Sequence, residues 1–326
     1  MDLNVAILGA GQIVPDFLLS SKFVDGIKPY TIFGAEKDTP VMSQLAKEYE
    51  IEKISTNYDE VLRDEKVALI YVALPNSLHY EFTKKALLAK KHVIIEKPFC
   101  SSLSQAKDLF EISEKENVFL FEAIPNIHYP NFKEMKNTLP SLGSIKLVEL
   151  NSVKYSSRYD EFKKGMVLPA FDPKKDGGAL MDMGVYNLHL LVGLFGKPNH
   201  ITYFPNMEKG IDTSGILLAE YPNYKCSAVA GKDCNAPNCI NVMGDKGFIH
   251  STSRSNLVSD FDLSINGQES QKINQHERKI HERLAYEIQE FYDVVVKNDS
   301  ARYRELKEQT LQVMELLSDI RGVQYE

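Results

Sequence analysis

The stretch NVAILGAGQIV (residues 4–14) decides the fold. Four apolar residues run into Gly9 and Gly11, and a further apolar segment starts at Ile13. An uninterrupted apolar run is typical of a strand buried on both faces, and glycines between such a strand and a helix indicate a dinucleotide-binding turn. Gly9 permits the tight turn, Gly11 lets the backbone approach a pyrophosphate, and the helix N-terminus offers unpaired amides to the negative charge. A strand–helix turn that binds no ligand is the alternative.

The residues around this turn refine the prediction. Gln12 and Ile13 are predicted to contact the cofactor with the two glycines, and Val14 replaces a third glycine that serves helix–strand packing. Glu36 ends the second predicted strand, where an acid accepts hydrogen bonds from ribose hydroxyls and repels a 2′-phosphate. Lys37 follows and is able to reach a phosphate or stack on adenine. These residues favour NAD(H) over NADP(H); an exposed acid paired with Lys37 is the alternative.

The first 123 residues alternate between apolar runs and amphipathic segments. The predicted strands are Val5–Gly9, Tyr30–Ala35, Ala68–Leu74, His92–Lys97 and Val118–Ala123. The predicted helices are Ile13–Lys22, Thr39–Tyr49, Leu78–Ala89 and Leu103–Glu114. Alternating strands and helices predict parallel pairing with right-handed crossovers, hence an α/β fold with a doubly wound sheet.

The pattern changes after Pro125. Short apolar runs separated by Gly, Pro and Asn predict mostly antiparallel strands. A long apolar helix is predicted near residues 178–195, and two amphipathic helices close the chain. We therefore predict a dinucleotide-binding domain over residues 1–123 and a second α/β domain over residues 124–326.

Polar residues gather where predicted strands end. The third such strand leads into Leu74, Pro75 and Asn76, with His79 beyond, and the fourth leads into Glu96, Lys97 and Pro98. Ligands of open α/β sheets bind outside the carboxyl ends of the strands, so all of these residues are predicted to face the cofactor. For Lys97, the alternative is a strand-end lysine that reaches out to water.

The segment DGGALMDMGVYNLHLL (residues 176–191) carries a second set of polar groups. At 100° per residue, Asp182, Tyr186 and His189 form a narrow polar stripe on an otherwise apolar helix, with Asp176 as a candidate N-cap. A solvent-facing stripe usually carries Lys, Glu and Gln, which this one lacks, so the stripe indicates a functional face. A histidine such as His189, taken alone, is more often a structural, hydrogen-bonded residue than a catalyst.

Composition excludes several functions. The 326 residues carry a net charge of −7, which argues against nucleic acid as a partner. The start lacks a basic leader, and no apolar stretch approaches the ~18–20 residues that span a bilayer, so we expect no membrane association. Four cysteines without finger-like spacing predict free thiols, a cytoplasmic location and no metal site.

The motifs GAGQIV, YVALPNSLHY, HVIIEKPF, FEAIPNIHYP and GGALMDMGVYNLH occur in order along nearly the whole chain. Together they resemble the Gfo/Idh/MocA family of NAD(P)-dependent oxidoreductases. The resemblance implies a Rossmann domain followed by a substrate-binding domain whose large, mostly antiparallel sheet often forms dimers or larger homo-oligomers. It implies that Lys97 is catalytic, with Asp182 and Tyr186 at the other active-site positions, and that the Lys97–Pro98 peptide is cis. Tyrosine instead of histidine at residue 186 resembles the branch with glucose–fructose oxidoreductase and dimeric dihydrodiol dehydrogenase.

The implied reaction moves a hydride between nicotinamide and a carbinol or carbonyl carbon of a sugar, polyol or trans-diol. Lys97 and Tyr186 are expected to transfer the proton, and Asp182 to orient Lys97 or hold a substrate hydroxyl. Arg158, Asn126 and His189 are predicted substrate contacts. A nucleotide-binding regulator or sensor that turns over nothing is the alternative function, and an oligomeric scaffold ranks third.

Overall fold

The computed structural model describes residues 1–324, and the chain divides into two compact units. The first unit consists of Met1–Ala123 and Arg278–Leu311, and the second of Ile124–Glu277 with the chain from Gln312 onward. The first predicted domain thus ends where the first segment ends. The sequence analysis assigned Arg278–Leu311 to the second domain, whereas in the structure this segment belongs to the first unit.

The first unit contains a six-stranded parallel sheet in the order β3-β2-β1-β4-β5-β6. Its strands are β1 Leu3–Leu8, β2 Ile27–Phe33, β3 Lys53–Ser55, β4 Leu69–Val72, β5 His92–Glu96 and β6 Leu120–Ala123. Its first helices are α1 Ile13–Ser21, α2 Thr39–Tyr49, α3 Tyr58–Arg63, α4 His79–Leu88 and α5 Leu103–Lys115. The chain leaves β1 on one side toward β2 and later returns on the other side as β4, so the carboxyl ends of β1 and β4 flank the switch point of the sheet.

The apolar runs explain the buried strands of this sheet. The side chains of Val5, Ile7, Ile70 and Val93 are fully buried, as expected of central strands covered by helices on both faces. The short strand β3 and helix α3 were not predicted, because β3 has an exposed, polar sequence at the edge of the sheet.

The second unit contains an eight-stranded sheet in the order β14-β13-β12-β11-β7-β10-β9-β8. Its strands are β7 Ile145–Val153, β8 His200–Glu208, β9 Ile211–Glu220, β10 Lys225–Gly231, β11 Cys239–Gly244, β12 Gly247–Ser251, β13 Phe261–Ile265 and β14 Gln271–Ile273. Its helices are α6 Pro130–Thr138, α7 Tyr159–Lys163 and α8 Val185–Phe195, the last preceded by a π turn over Leu180–Gly184. β7 and β10 pair in parallel and all other neighbours are antiparallel, which confirms the prediction of a mostly antiparallel sheet.

The two faces of this sheet differ in what covers them. The π turn and α8 pack against β10, on the face that carries buried residues such as Leu150, Ala228 and Ile240. The opposite face is exposed and mixes large apolar side chains with charged ones such as Glu149, Glu220 and Lys225. Its large exposed apolar side chains are Leu147, Phe204, Ile216, Leu218 and Phe248, and we call these five residues the outer apolar face.

Two helices close the chain: α9 Leu284–Lys297 and α10 Ser300–Gln324. Helix α9 packs on α1, and the Phe291 ring stacks on Phe121 of β6 with 4.6 Å between centroids. Tyr303 of α10 contacts Phe121 edge-on. The apolar stripe of α9 is therefore part of the core of the first unit, which explains the position of Arg278–Leu311 in that unit.

One segment, Pro173–Phe195, is long and apolar enough to cross a membrane by length and composition. The expectation from the sequence that no apolar stretch approaches the length of a membrane span was therefore wrong for this segment. Of its most apolar window, 78% is buried inside the protein, as in a core helix. The four cysteines are free thiols, with Cys100 and Cys226 buried and Cys234 exposed.

Candidate active site

The glycine turn after β1 fits a dinucleotide. Gly9 has φ +110°, and a Cβ there would lie 2.5 Å from the backbone oxygen of Ala73, at the end of β4. A Cβ at Gly11 would meet nothing within 4 Å, so this glycine borders open space at the sheet edge. Val14 is fully buried, consistent with the packing role of the third position. The turn thus combines a tightly packed glycine with one that leaves room for a pyrophosphate at the N-terminal end of α1.

Glu36 and Lys37 lie in a short 3-10 turn, Glu36–Asp38, that follows β2. Both side chains are exposed. The carboxylate is therefore accessible to a ribose at the same edge of the sheet as the glycine turn, because β1 and β2 are parallel neighbours.

The loops after β4 and β5 are joined through His79. Its imidazole is fully buried, with Nδ1 3.0 Å from the carbonyl oxygen of Pro98 and Nε2 2.9 Å from that of Leu74. The sequence predicted that His79 contacts the cofactor. The structure gives it a supporting position instead, because its ring is occupied by the backbone of the two loops. Pro75 and Asn76 begin the 3-10 turn before α4 and retain exposed surface.

Lys97 directly follows β5 at the carboxyl edge of the sheet, and its residue is half-buried. The Lys97–Pro98 peptide is cis, which confirms the expectation from the resemblance. Phe99 is fully buried after it. Lys97 of the EKP segment therefore lies between a buried strand and the buried side chain of Phe99.

Glu96 is the last residue of β5, and its carboxyl group is desolvated. Its carboxylate accepts a hydrogen bond from the Tyr71 hydroxyl, and Glu122 lies close enough to repel it. Desolvation raises the pKa of Glu96 from 4.5 to about 7, against the opposing effects of the Tyr71 hydrogen bond and the Lys97 charge. Glu96 is thus a buried proton-binding group directly beside the predicted catalytic lysine.

In the second unit, the predicted polar stripe is only partly formed. Asp182 and Tyr186 retain exposed surface, whereas His189 is fully buried. The π turn over Leu180–Gly184 widens the helix at Asp182, and π turns often occur at functional sites. Of the three residues of the predicted functional face, only Asp182 and Tyr186 are therefore accessible, and His189 lies in the interior.

The start of this helix differs from the prediction. Asp176 is not the N-cap: its backbone is left-handed (φ 52°), and its carboxylate accepts a hydrogen bond from Arg321. The amide of Leu180 instead donates to Asp212 Oδ2 at 2.7 Å. Gly178 permits this approach, since a Cβ there would lie 2.0 Å from the Asp212 carboxylate.

Asp182 has an unexpected partner. The Nζ atom of Lys232 lies 2.8 Å from Asp182 Oδ2, and the Lys232 side chain is only 3% exposed. The sequence analysis missed Lys232, because it lies 50 positions from Asp182 in an ordinary loop after β10. A lysine directly after an apolar strand was the available signal.

A buried hydrogen-bond network fixes the backbone at Tyr186. Asn126 Nδ2 donates to the carbonyl oxygens of Tyr186 and Ser255, both at 3.0 Å. The Ser255 hydroxyl donates to Asn187 Oδ1, and Asn187 Nδ2 donates to Val229. Asn126 was predicted to contact substrate; the structure places it under Tyr186, where it is fully buried.

Arg254 is a second residue that sequence reasoning missed. It precedes Ser255, is half-buried and interacts electrostatically with Tyr186. Burial lowers the pKa of its guanidinium, and the neighbouring Tyr186 opposes that effect. Arg158, the predicted substrate contact, precedes α7 and is half-buried, with its amide donating to the Ser156 hydroxyl.

The residues thus form two groups, one in each unit. The first unit brings together the glycine turn, the Glu36 turn, the Asn76 loop and Lys97 at one sheet edge. The second unit brings together Asp182, Tyr186 and Asn126 around the start of α8. Convergence of Lys97 with Asp182 and Tyr186 stays a prediction. Among residues 1–324, no cluster of three or more His, Cys, Asp or Glu side chains has metal-site geometry.

Comparison with known families identifies both units. The family described as an oxidoreductase family with an NAD-binding Rossmann fold matches residues 3–124, and the GFO/IDH/MocA C-terminal domain matches residues 142–250. The chain is therefore an oxidoreductase with a nicotinamide-dinucleotide-binding Rossmann unit. It belongs to the Gfo/Idh/MocA family.

Several relatives have established names. The scyllo-inositol 2-dehydrogenase (NADP(+)) IolU of Bacillus subtilis is 28% identical over 76% of this chain and 75% of its own length. The trans-1,2-dihydrobenzene-1,2-diol dehydrogenase of Xenopus tropicalis is 26% identical over 81% of this chain and 78% of its own. The fold is that of KijD10, a 3-ketoreductase from Actinomadura kijaniata solved with NADP and TDP-benzene (TM-score 0.84, 19% identity, 99% and 98% of the two chains covered). It is equally that of a levoglucosan dehydrogenase solved with NADH and levoglucosan (TM-score 0.82, 15% identity, 98% and 97% covered).

Proposed function

We propose that the chain is an NAD(P)-dependent dehydrogenase or reductase that acts on a CH–OH or carbonyl carbon of a sugar, polyol or trans-diol. The names of its inositol and dihydrodiol dehydrogenase relatives support this substrate class. The 3-ketoreductase and the levoglucosan dehydrogenase share the fold of this chain, and at 19% and 15% identity this likeness concerns the fold alone.

The first unit would hold the cofactor. Gly9, Gly11 and the amides at the start of α1 would bind the pyrophosphate, and Glu36 would bind the adenosine ribose. When bound, the nicotinamide supplies the hydride acceptor or donor. The open space above Gly11 supports this assignment, because the backbone there leaves room for close approach.

Lys97 and Tyr186 would move the proton at the reacting oxygen. An amine at a partly buried sheet edge is able to hydrogen-bond that oxygen and to exchange a proton with it. The Tyr186 phenol would donate to the same oxygen or relay its proton. Asp182, held by Lys232, would accept a hydrogen bond from a neighbouring substrate hydroxyl.

The position of Lys97 is the observation that carries this proposal. Lys97 directly follows β5, in the sheet whose strand β1 leads into the glycine turn. It begins a loop with a cis Lys97–Pro98 peptide, and His79 ties this loop to the loop after the neighbouring strand β4. Lys97→Ala should leave the Kd of the dinucleotide nearly unchanged and lower kcat by ~10² or more, in line with general acid–base contributions.

The measurement follows the absorbance of reduced nicotinamide with a panel of inositols, aldoses and trans-diols, each with NAD and with NADP. Lys107→Ala, an exposed lysine of α5, is the matched control and should keep full turnover. Normal turnover in Lys97→Ala would disprove the assignment. Tight dinucleotide binding without turnover of any panel member in the unmodified protein would favour the sensor function.

We also propose that the cofactor is NAD(H) rather than NADP(H). The exposed Glu36 carboxylate supports this preference, since a 2′-phosphate beside it would bring two negative charges together. The same panel measures it as the ratio of kcat/KM with the two dinucleotides. A ratio that favours NADP would overturn it.

We further propose that the chain forms homo-oligomers through the outer apolar face. Large exposed apolar side chains recur on adjacent strands there, with Phe204 beside Ile216 and Leu147 beside Met243, and a shallow depression lies between Leu147 and Leu218. Contiguous exposed apolar patches of this kind mark association sites. We also propose that the protein is cytoplasmic, which the free thiols support.

A further inference from the structure

We propose that Lys232 is a positioning residue that holds Asp182 in its working orientation and ionised state. This inference rests on the proposed function, because it assigns Lys232 a role through Asp182 rather than through contact with substrate. The residues that Lys232 contacts through its ammonium, Asp182, Ala170 and Phe171, belong to the second unit.

The Lys232 ammonium contacts a carboxylate, a carbonyl oxygen and an aromatic ring, and its charge also acts on the buried carboxyl of Asp212. Its Nζ lies 2.8 Å from Asp182 Oδ2 and donates to the carbonyl oxygen of Ala170 at 2.7 Å. It also lies 4.4 Å from the centroid of the Phe171 ring. The backbone of Lys232 is fixed as well, since its amide donates to Thr213 and its carbonyl accepts from Ser156. The amine is therefore held in one place from both ends.

Burial makes this arrangement demanding. Removing an ammonium from water costs several kcal/mol, which only a charged partner and good hydrogen bonds offset. Lys232 is 3% exposed, whereas the side chain of Asp182 is 36% exposed. The lysine is thus the buried member of the pair, and the carboxylate is the member that reaches the surface. A buried cation behind a surface carboxylate stabilises the ionised form of that carboxylate and restricts its rotamer.

The same lysine ties Asp182 to a second element. Ala170 and Phe171 belong to the segment that packs with Phe162 and Ile211 in a small apolar cluster. Lys232 therefore fixes the π turn of Asp182 against this segment. Loss of the amine would remove the buried cation beside the Asp182 carboxylate and the donor to the Ala170 carbonyl, so Asp182 would be held less firmly and would bind protons more readily.

Four variants test the role: Lys232→Met, Lys232→Arg, Asp182→Asn and the double variant Lys232→Met/Asp182→Asn. We expect Lys232→Met to lower kcat by about 10- to 100-fold, the range for a misplaced catalytic group, with the dinucleotide Kd unchanged. In the Asp182→Asn background, the same substitution should change kcat less than twofold, because its effect passes through the carboxylate. The acid limb of kcat/KM against pH should move to higher pH in Lys232→Met and stay in place in Lys232→Arg.

Lys91→Met is the matched control. Lys91 is also buried, and its Nζ donates to the carbonyl oxygens of Asp64 and Val67 at 2.9 and 2.8 Å, at the opposite end of the parallel strands from Lys97. The Lys91→Met substitution should lower the midpoint of unfolding and leave kcat unchanged.

The outcomes separate the two proposals. If Asp182→Asn keeps full activity, the role proposed for Asp182 fails. If Asp182→Asn is impaired while Lys232→Met keeps full activity, or lowers kcat equally in both backgrounds, the positioning role of Lys232 is overturned. Should Lys232→Met not fold, Lys232→Gln takes its place in the same two backgrounds: full activity or additive losses of kcat overturn the inference, and a loss confined to the Asp182 background supports it.

Discussion

The buried carboxyl of Glu96 makes the stability of the first unit depend on pH. Its pKa is raised to about 7, so the folded protein holds this proton at pH values where the unfolded chain has released it. Between the ordinary value of 4.5 and about 7, the folded state binds more protons, and its stability therefore falls as the pH rises. A pKa difference of this size corresponds to a loss of about 3 kcal/mol in the free energy of unfolding, and this loss is complete above about pH 7.

Glu96→Gln should remove this dependence, because the amide is similar in shape and does not ionise. We expect the variant to gain stability over the unmodified protein steadily from about pH 5 to about pH 8, approaching the 3 kcal/mol difference. Urea unfolding without cofactor, followed by circular dichroism since the chain has no tryptophan, measures the difference at each pH.

Two further variants sharpen the test. Tyr71→Phe removes a hydrogen bond that lowers the pKa of Glu96, so the loss of stability should shift to higher pH. Glu111→Gln, at an exposed position of α5, should show no pH-dependent difference. A flat difference between Glu96→Gln and the unmodified protein, or a shift to lower pH in Tyr71→Phe, would refute the reasoning.

Two other results are expected. Gly9→Ala should destabilise the first unit by at least about 1–3 kcal/mol, because φ +110° strains any side chain and the new Cβ would meet Ala73. Gly11→Ala should keep the unfolding midpoint and weaken dinucleotide binding about tenfold or more. Equal losses of stability in the two variants would contradict this reasoning. Leu218→Glu should reduce the oligomer to monomers in sedimentation velocity, whereas Val41→Glu, an exposed apolar position of α2, should not; an unchanged sedimentation coefficient for Leu218→Glu would exclude the outer apolar face as the interface.

The buried framework was predictable because its signal is local. Continuous apolar runs located β1, β2, β4, β5 and β6 to within a few residues, and α2 was predicted with the bounds it has, Thr39–Tyr49. The strand β3 escaped because its residues Lys53–Ser55 are exposed at the sheet edge and carry no apolar pattern. Strands β13 and β14 escaped for a related reason: apart from the buried Phe261, their side chains are only half-buried or exposed.

The candidate site was predictable only in part, because its supporting contacts are distant in sequence. Lys97 and Asp182 were predicted from motifs, yet nothing near Asp182 in sequence indicates Lys232. The helical projection treated the segment as a regular α-helix, so it missed the π turn and placed His189 on the open face. His79 was predicted as a ligand contact because the sequence does not reveal the two carbonyl groups that hold its ring.

The return of Arg278–Leu311 to the first unit has a consequence for synthesis on the ribosome. The Rossmann sheet is complete once Ala123 has been translated, but the Phe121 ring still lacks Phe291, which is made 170 residues later. The nascent sheet therefore keeps an uncovered aromatic surface while the whole intervening unit is being translated. Chaperones that recognise exposed aromatic clusters have their longest opportunity to bind this protein during that interval.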